Sequence, residues 1–144
     1  MSWTFESSLL HVLHRVTQVA HDAYMEKASD LDITPRQFVV LAVVDAHPGA
    51  SQTQVVEVSG IDRSTLAELV KRLIKGGHLK RRRAKHDARA YEVSITALGR
   101  KALKCAEDRA KNVEAVLLGS MSPTERETLM RQLAALIGAP MSSR

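Results

Sequence analysis

The residues with chemistry to offer lie in one stretch of the chain. Asp62-Arg63-Ser64-Thr65 sets a carboxylate ahead of a first helical turn that is small, polar and basic. Lys71 and Arg72 follow about two turns later, and Lys80-Arg81-Arg82-Arg83, Lys85 and Arg89 come next. Between Arg63 and Lys104 there are 13 lysines and arginines against three acids (Glu68, Asp87 and Glu92). The remainder of the chain reverses the balance, with eight basic residues against 13 acidic ones. Positive charge gathered on one segment is the footprint of a polyanionic partner. A membrane-surface helix would need a wide apolar face beside that charge, and this segment has none, so nucleic acid is favoured.

Catalytic chemistry has no comparable support. The sequence holds no G-x-x-x-x-G-K, no G-x-S-x-G and no C-x-x-C, and His86-Asp87 is an isolated pair in a polar loop. No nucleophile, base and oxyanion donor converge, so the chain reads as a non-enzyme with no cofactor and no catalytic residues. His11 and His14 have metal-ligand spacing on a helix, but no Cys, Glu or third His completes a zinc site, so no metal is expected. Cys105 is the single cysteine, which rules out an internal disulfide and makes a reducing cytoplasm the expected location. It reads as a small buried hydrophobe, with a peroxide-sensing thiol as the alternative. Apolar runs are short and broken by charge, and the N-terminus lacks the pattern of a secretion signal, so no membrane association is expected.

The elements that must position the basic residues follow from periodicity. Apolar residues recur at helical spacing from Phe5 to about Ala28. Thr34-Pro35-Arg36-Gln37 and Ser51-Gln52-Thr53-Gln54 are capping boxes that open two more helices, the first carrying Phe38, Val39, Leu41, Ala42 and Val44 inward. Asp62 caps a fourth helix with a Leu66, Leu69, Leu73 stripe, ended by Gly76-Gly77. The period then changes to two over Leu79–Arg83 and Ala90–Ile95, with residues 84–89 as a hairpin loop. A long helix from Thr96 to about Leu118 and another opened by Ser122-Pro123-Thr124-Glu125 complete the order α-α-α-α-β-β-α-α. The fold class is mainly α with a small β-hairpin.

Residues 52–76 have the design of a helix-turn-helix: a short helix, a turn containing Gly60, and a helix whose polar N-terminal turn could read base edges. An ordinary helical corner is the alternative. The basic hairpin that follows favours the functional reading, because its tip carries Lys85 and Arg89 and has the build of a wing that enters a minor groove. A solvated edge strand is the alternative there. Asp87 repels phosphate and reads as the charge that holds a neighbouring arginine and stiffens the loop.

The run Asp62-Arg63-Ser64-Thr65-Leu66, with Leu69-Val70-Lys71-Arg72-Leu73, Gly77-His78-Leu79, Arg82, Asp87-Ala88-Arg89 and Ser94-Ile95-Thr96-Ala97-Leu98-Gly99, resembles the MarR family of multiple-antibiotic-resistance-type regulators. The D-x-R of the wing and the T-x-x-G after it are its most specific marks. The resemblance implies one winged helix-turn-helix domain over residues 1–144. Within it, 5–28 and 96–138 form dimerisation helices and 34–95 form the DNA-binding part, with the helix-turn-helix at 52–76 and the wing at 79–95. It also implies a small-molecule pocket between the dimerisation and DNA-binding parts. Glu68 and Ala67 depart from the family, which more often has polar or basic groups there, so base preference does not transfer. His78 replaces a usual leucine.

The expected activity is sequence-specific transcriptional regulation by a repressor that a small ligand releases from its operator. Expected partners are double-stranded DNA with a palindromic operator, a second copy of the chain, and an effector such as an aromatic carboxylate. Arg63, Ser64, Thr65, Lys71, Arg72, Lys80, Arg82, Lys85 and Arg89 are the expected DNA-binding residues, with Asp87 stabilising the wing. Arg15 stands where the family often has an arginine in the first helix and would take the effector's carboxylate, with His11 holding a second polar group. A solvated helix face is the alternative for that pair. Other readings of the whole are a redox- or metal-responsive regulator of the same fold and a non-specific architectural DNA-binding protein.

Overall fold

The computed structural model describes residues 3–27, 33–87 and 90–138. Among the described residues six helices and one hairpin follow the expected order: α1 (Leu9–Met25), α2 (Pro35–Ala46), α3 (Gln52–Ser59), α4 (Arg63–Lys75), β1 (Leu79–Arg83), β2 (Tyr91–Ile95), α5 (Ala97–Leu118) and α6 (Pro123–Leu136). Thr34, Ser51 and Ser122 each cap a helix through a reciprocal box with Gln37, Gln54 and Glu125, so the helix starts are set by side chains three residues apart.

Two of the expected details differ. α1 begins at Leu9 instead of near Phe5. Thr4 and Ser7 bond each other's backbone and hydroxyl groups, giving residues 4–7 a local turn that competes with the helix. On α2 the buried residues are Val40, Leu41 and Val44, whereas Val39 is exposed. That helix is apolar on nearly every side, so its pattern could not orient it.

The chain forms two compact units, Tyr24–Ala110 and Met1–Ala23 with Lys111–Arg144. In the first, Val40, Leu41, Val44, Val55, Leu66, Val70, Leu73, Leu79 and Val93 are fully buried. Each such side chain contributes about 1.5–3 kcal/mol by leaving water. The buried Arg109 guanidinium lies 5.4 Å from the centre of the Tyr24 ring, and the Tyr24 hydroxyl donates to the Ile33 carbonyl at 2.9 Å. In the second unit, Asn112 donates to the Ala23 carbonyl at 2.8 Å, tying α1 to α5.

The hairpin is antiparallel, with Leu79 opposite Ile95, Arg81 opposite Val93 and Arg82 opposite Glu92. The segment before α3 joins β2 from its other side, through a bridge between Ser51 and Glu92 and a 3.0 Å bond from the Val93 N–H to the Ala50 carbonyl. The T-x-x-G motif closes the hairpin's other end. The Thr96 hydroxyl donates to the Gly77 carbonyl at 2.6 Å, while its N–H reaches the His78 carbonyl at 3.0 Å. Gly99 packs so closely on this turn that a Cβ there would lie 2.0 Å from the His78 carbonyl oxygen.

Candidate nucleic-acid interface

The interface is built from α3, α4 and the hairpin, all within Tyr24–Ala110. α3 ends at Gly60, whose φ of +69° belongs to the left-handed region that side chains avoid. The turn delivers Asp62 as the cap of α4, its carboxylate accepting from the Thr65 N–H at 2.9 Å and the Ser64 hydroxyl at 2.8 Å. The bond from the Thr65 backbone, helped by the Thr65 and Ser64 side chains, lowers the Asp62 pKa to about 2. The Thr65 N–H at the positive end of α4 is therefore already filled by the Asp62 cap.

Leu66, Leu69, Val70 and Leu73 turn inward. Ser64, Glu68, Lys71 and Lys75, spaced four, three and four apart, form the opposite face, flanked by Arg63 and Arg72, and all six are exposed. Thr65 is half-buried. Lys75 joins this face although the charge pattern alone did not single it out. Its place a full turn beyond Lys71 was the available signal.

In the hairpin, Lys80 and Arg82 share one face with Ser94 and Glu92. Arg82 Nε donates to the Glu92 carboxylate at 3.1 Å. Arg81, on the other face, donates to Gln52 at 3.2 Å and lies 5.8 Å from the centre of the Tyr91 ring, bracing the wing against the start of α3. Neither partnership could be read from the sequence, since both join residues distant in the chain. Lys85 is exposed in the loop, which closes by bonds from Ala90 N–H to the Asp87 carbonyl and from Ala84 N–H to the Ala90 carbonyl. Asp87 is partnered. Arg89 and Ala88 lie outside the described residues.

His11 and Arg15 belong to the other unit, one turn apart on the same side of α1. The His11 ring is half-buried against Phe5, with centroids 4.1 Å apart, and Arg15 is exposed. Among the described residues no three His, Cys, Asp or Glu side chains converge to hold a metal ion, and no helix is long and apolar enough to cross a membrane. Cys105 is half-buried. An open hollow of about 430 Å³ lies between the end of α2 and α3. It is lined by His47, Gln54 and Glu57 beside Val43, Pro48 and Val58, and the Glu57 carboxylate suits it poorly to an anion.

A short helix, a glycine turn, a capped helix with a charged outer face and a basic hairpin together define a winged helix-turn-helix protein of the DNA-binding class. A family model described as MarR family matches residues 31–90. The transcriptional regulator HosA of Escherichia coli O111:H- is 30% identical over 108 residues, which cover 75% of this chain and 80% of HosA. The chain belongs to the MarR family of transcriptional regulators, a DNA-binding and non-enzymatic family. Among solved structures, the PcaV regulator of Streptomyces coelicolor in complex with its natural ligand is 26% identical with a TM-score of 0.85, covering 96% of this chain and 98% of that one. CouR, from Rhodococcus jostii RHA1, is also similar. In its structure on a 23-mer DNA duplex it is 26% identical with a TM-score of 0.82, covering 95% of this chain and 99% of CouR.

Proposed function

We propose that this regulator is a cytoplasmic, sequence-specific repressor that binds a palindromic operator as a homodimer and leaves it when a small anionic aromatic ligand binds. The outer face of α4 carries the DNA-binding part of this reading: four cations (Arg63, Lys71, Arg72 and Lys75) and a serine hydroxyl lie on it, in the same unit as a basic wing. In this reading Ser64 and Thr65 meet base edges. Arg63, Lys71, Arg72, Lys80, Arg82 and Lys85 meet phosphates, and Arg89 enters the minor groove with Asp87 stiffening its loop. The relative CouR on a DNA duplex supports the docking mode. Leu9, Leu10, Leu13 and Val16 of α1 and Met130, Leu133 and Leu136 of α6 are all exposed, and a second copy is the partner that would cover them.

The effector reading rests on charge. Arg15 is the first lysine or arginine in the chain, and the next is Lys27. A carboxylate leaving water needs a cation, and His11 stands one turn away on the same side. Release follows by linkage if the ligand prefers a dimer whose recognition helices are mis-spaced for successive major grooves. The test titrates benzoate-type ligands against the protein and its Arg15→Ala variant on promoter DNA, read by fluorescence polarisation. The wild type should be released and the variant should bind DNA equally well without release. Equal release of both removes Arg15 from the site, and release of neither removes this ligand class.

A further inference from the structure

We infer that Glu68 is a base-reading residue, a carboxylate that accepts a hydrogen bond from the exocyclic amino group of a cytosine in the major groove. The inference rests on the proposed DNA-binding reading and gives it a sequence.

Glu68 is one of only three acids between Arg63 and Lys104. The other two are engaged: Glu92 holds Arg82, and Asp87 is partnered. Among the described residues Glu68 makes no hydrogen bond or ion pair, although Lys71 and Arg72 lie three and four residues further along the same helix. It is exposed, opposite the buried Leu66, Leu69, Val70 and Leu73, and central in the row Ser64, Glu68, Lys71, Lys75. Among the described residues it therefore caps no helix and holds no cation.

A bare carboxylate in the middle of a DNA-facing helix raises the free energy of every complex it enters, because phosphates surround the groove on both sides. That repulsion is offset only where the groove offers donors. Of the four bases, cytosine presents an amino donor through N4 without an adjacent N7 acceptor, which makes it the match for a group that can only accept. Adenine offers its N6 amino group beside N7, a pair suited to an amide. Glu68 thus discriminates in two ways, by bonding the right base and by penalising every wrong one.

The test is selection from a duplex library with randomised half-sites, followed by competition binding, on the full-length wild type, Glu68→Ala and Glu68→Gln. The residue is exposed, so equal melting temperatures are expected and are measured first. Wild type should require a C·G pair at one position in each half-site, and exchanging it should weaken binding about 5- to 150-fold. Glu68→Ala should lose that requirement, binding all four bases within about twofold, while its affinity for unrelated duplex rises because one repulsive charge is gone. Glu68→Gln should move the preference towards A·T. An unchanged selected sequence in both variants overturns the inference, as does an equal loss of affinity for selected and unrelated DNA. A wild type that selects no sequence overturns the sequence-specific reading itself, a result distinguishable from either.

Discussion

The unit Tyr24–Ala110 buries a core of large apolar side chains, whereas the unit of Met1–Ala23 and Lys111–Arg144 leaves most of its own on the surface. In the first, nine large side chains reach nearly complete burial, and basic residues share the exposed surface with Val58, Tyr91 and Leu98. In the second, α6 has no buried residue, and Leu10 of α1 and Leu136 of α6 are 78% and 72% exposed. Each unit states the chemistry of what it lacks. Unpaired cations call for a polyanion, and uncovered aliphatic faces call for a similar face.

Substitutions should separate the two units sharply. Leu73→Ala, in the closed core, should cost about 2–5 kcal/mol in chemical denaturation. Leu10→Glu with Leu136→Glu should leave helix content intact by circular dichroism and yet produce a monomer by sedimentation at micromolar concentration. If the double variant unfolds, or stays dimeric, the contrast between the units fails. Gly99→Ala should destabilise by about 1–3 kcal/mol, because the new Cβ meets the His78 carbonyl, a backbone atom that cannot swing aside. Thermal unfolding measures this.

The proposed DNA-facing surface should respond in affinity and leave stability alone. Arg89→Ala should weaken operator binding by about 1–3 kcal/mol with an unchanged melting temperature. Asp87→Ala should weaken it too, although it removes a negative charge. Tighter binding by that variant would reduce Asp87 to simple repulsion. Lys75→Ala should lower the log–log salt slope by about 0.9 per protomer if it neutralises a phosphate, and a flat slope in the wild type would assign the charge cluster another purpose.

The smallest effect is one of pH. The folded state lowers the Asp62 pKa to about 2 from an ordinary value of 3.8, so its ionised form stabilises the fold. That contribution is fully present above about pH 4 and disappears as the pH falls towards 2. Asp62→Asn, which keeps a capping oxygen, should flatten this part of the stability–pH curve.

What the sequence made legible was whatever is local. Caps at Thr34, Ser51, Asp62 and Ser122, the breaks at Gly60 and Gly76-Gly77, and the inward stripe of α4 are all relations within about four residues, and each is where periodicity places it. α2 was less legible because Phe38 to Val44 is apolar throughout, and only packing distinguishes Val40 from Val39. The partners of Arg81 and Arg82 depend on hairpin register and on Gln52, 29 residues away from Arg81, so no spacing rule reaches them. The buried pairing of Arg109 with Tyr24 escaped for the same reason, since an arginine on an amphipathic helix is ordinarily a surface residue.

The bridge from Ser51 to Glu92 has a consequence for how the hairpin keeps its alignment. β1 reads Leu-Lys-Arg-Arg-Arg, with Leu79 as its single buried residue. A strand so uniformly basic has almost no alternation by which to choose a register, and a slip of one residue would still show cations on both faces. The choice is made from outside. Val93 is held to Ala50, Ser51 to Glu92, Glu92 to Arg82, and Thr96 to the turn before Leu79. β2 is thus fixed in place, and β1 is aligned against it like a rule against a stop. Residues inserted between Ala84 and Asp87 would lengthen the wing harmlessly, whereas one inserted between Leu79 and Arg82 would break the alignment with Glu92 and turn every arginine beyond it to the opposite face.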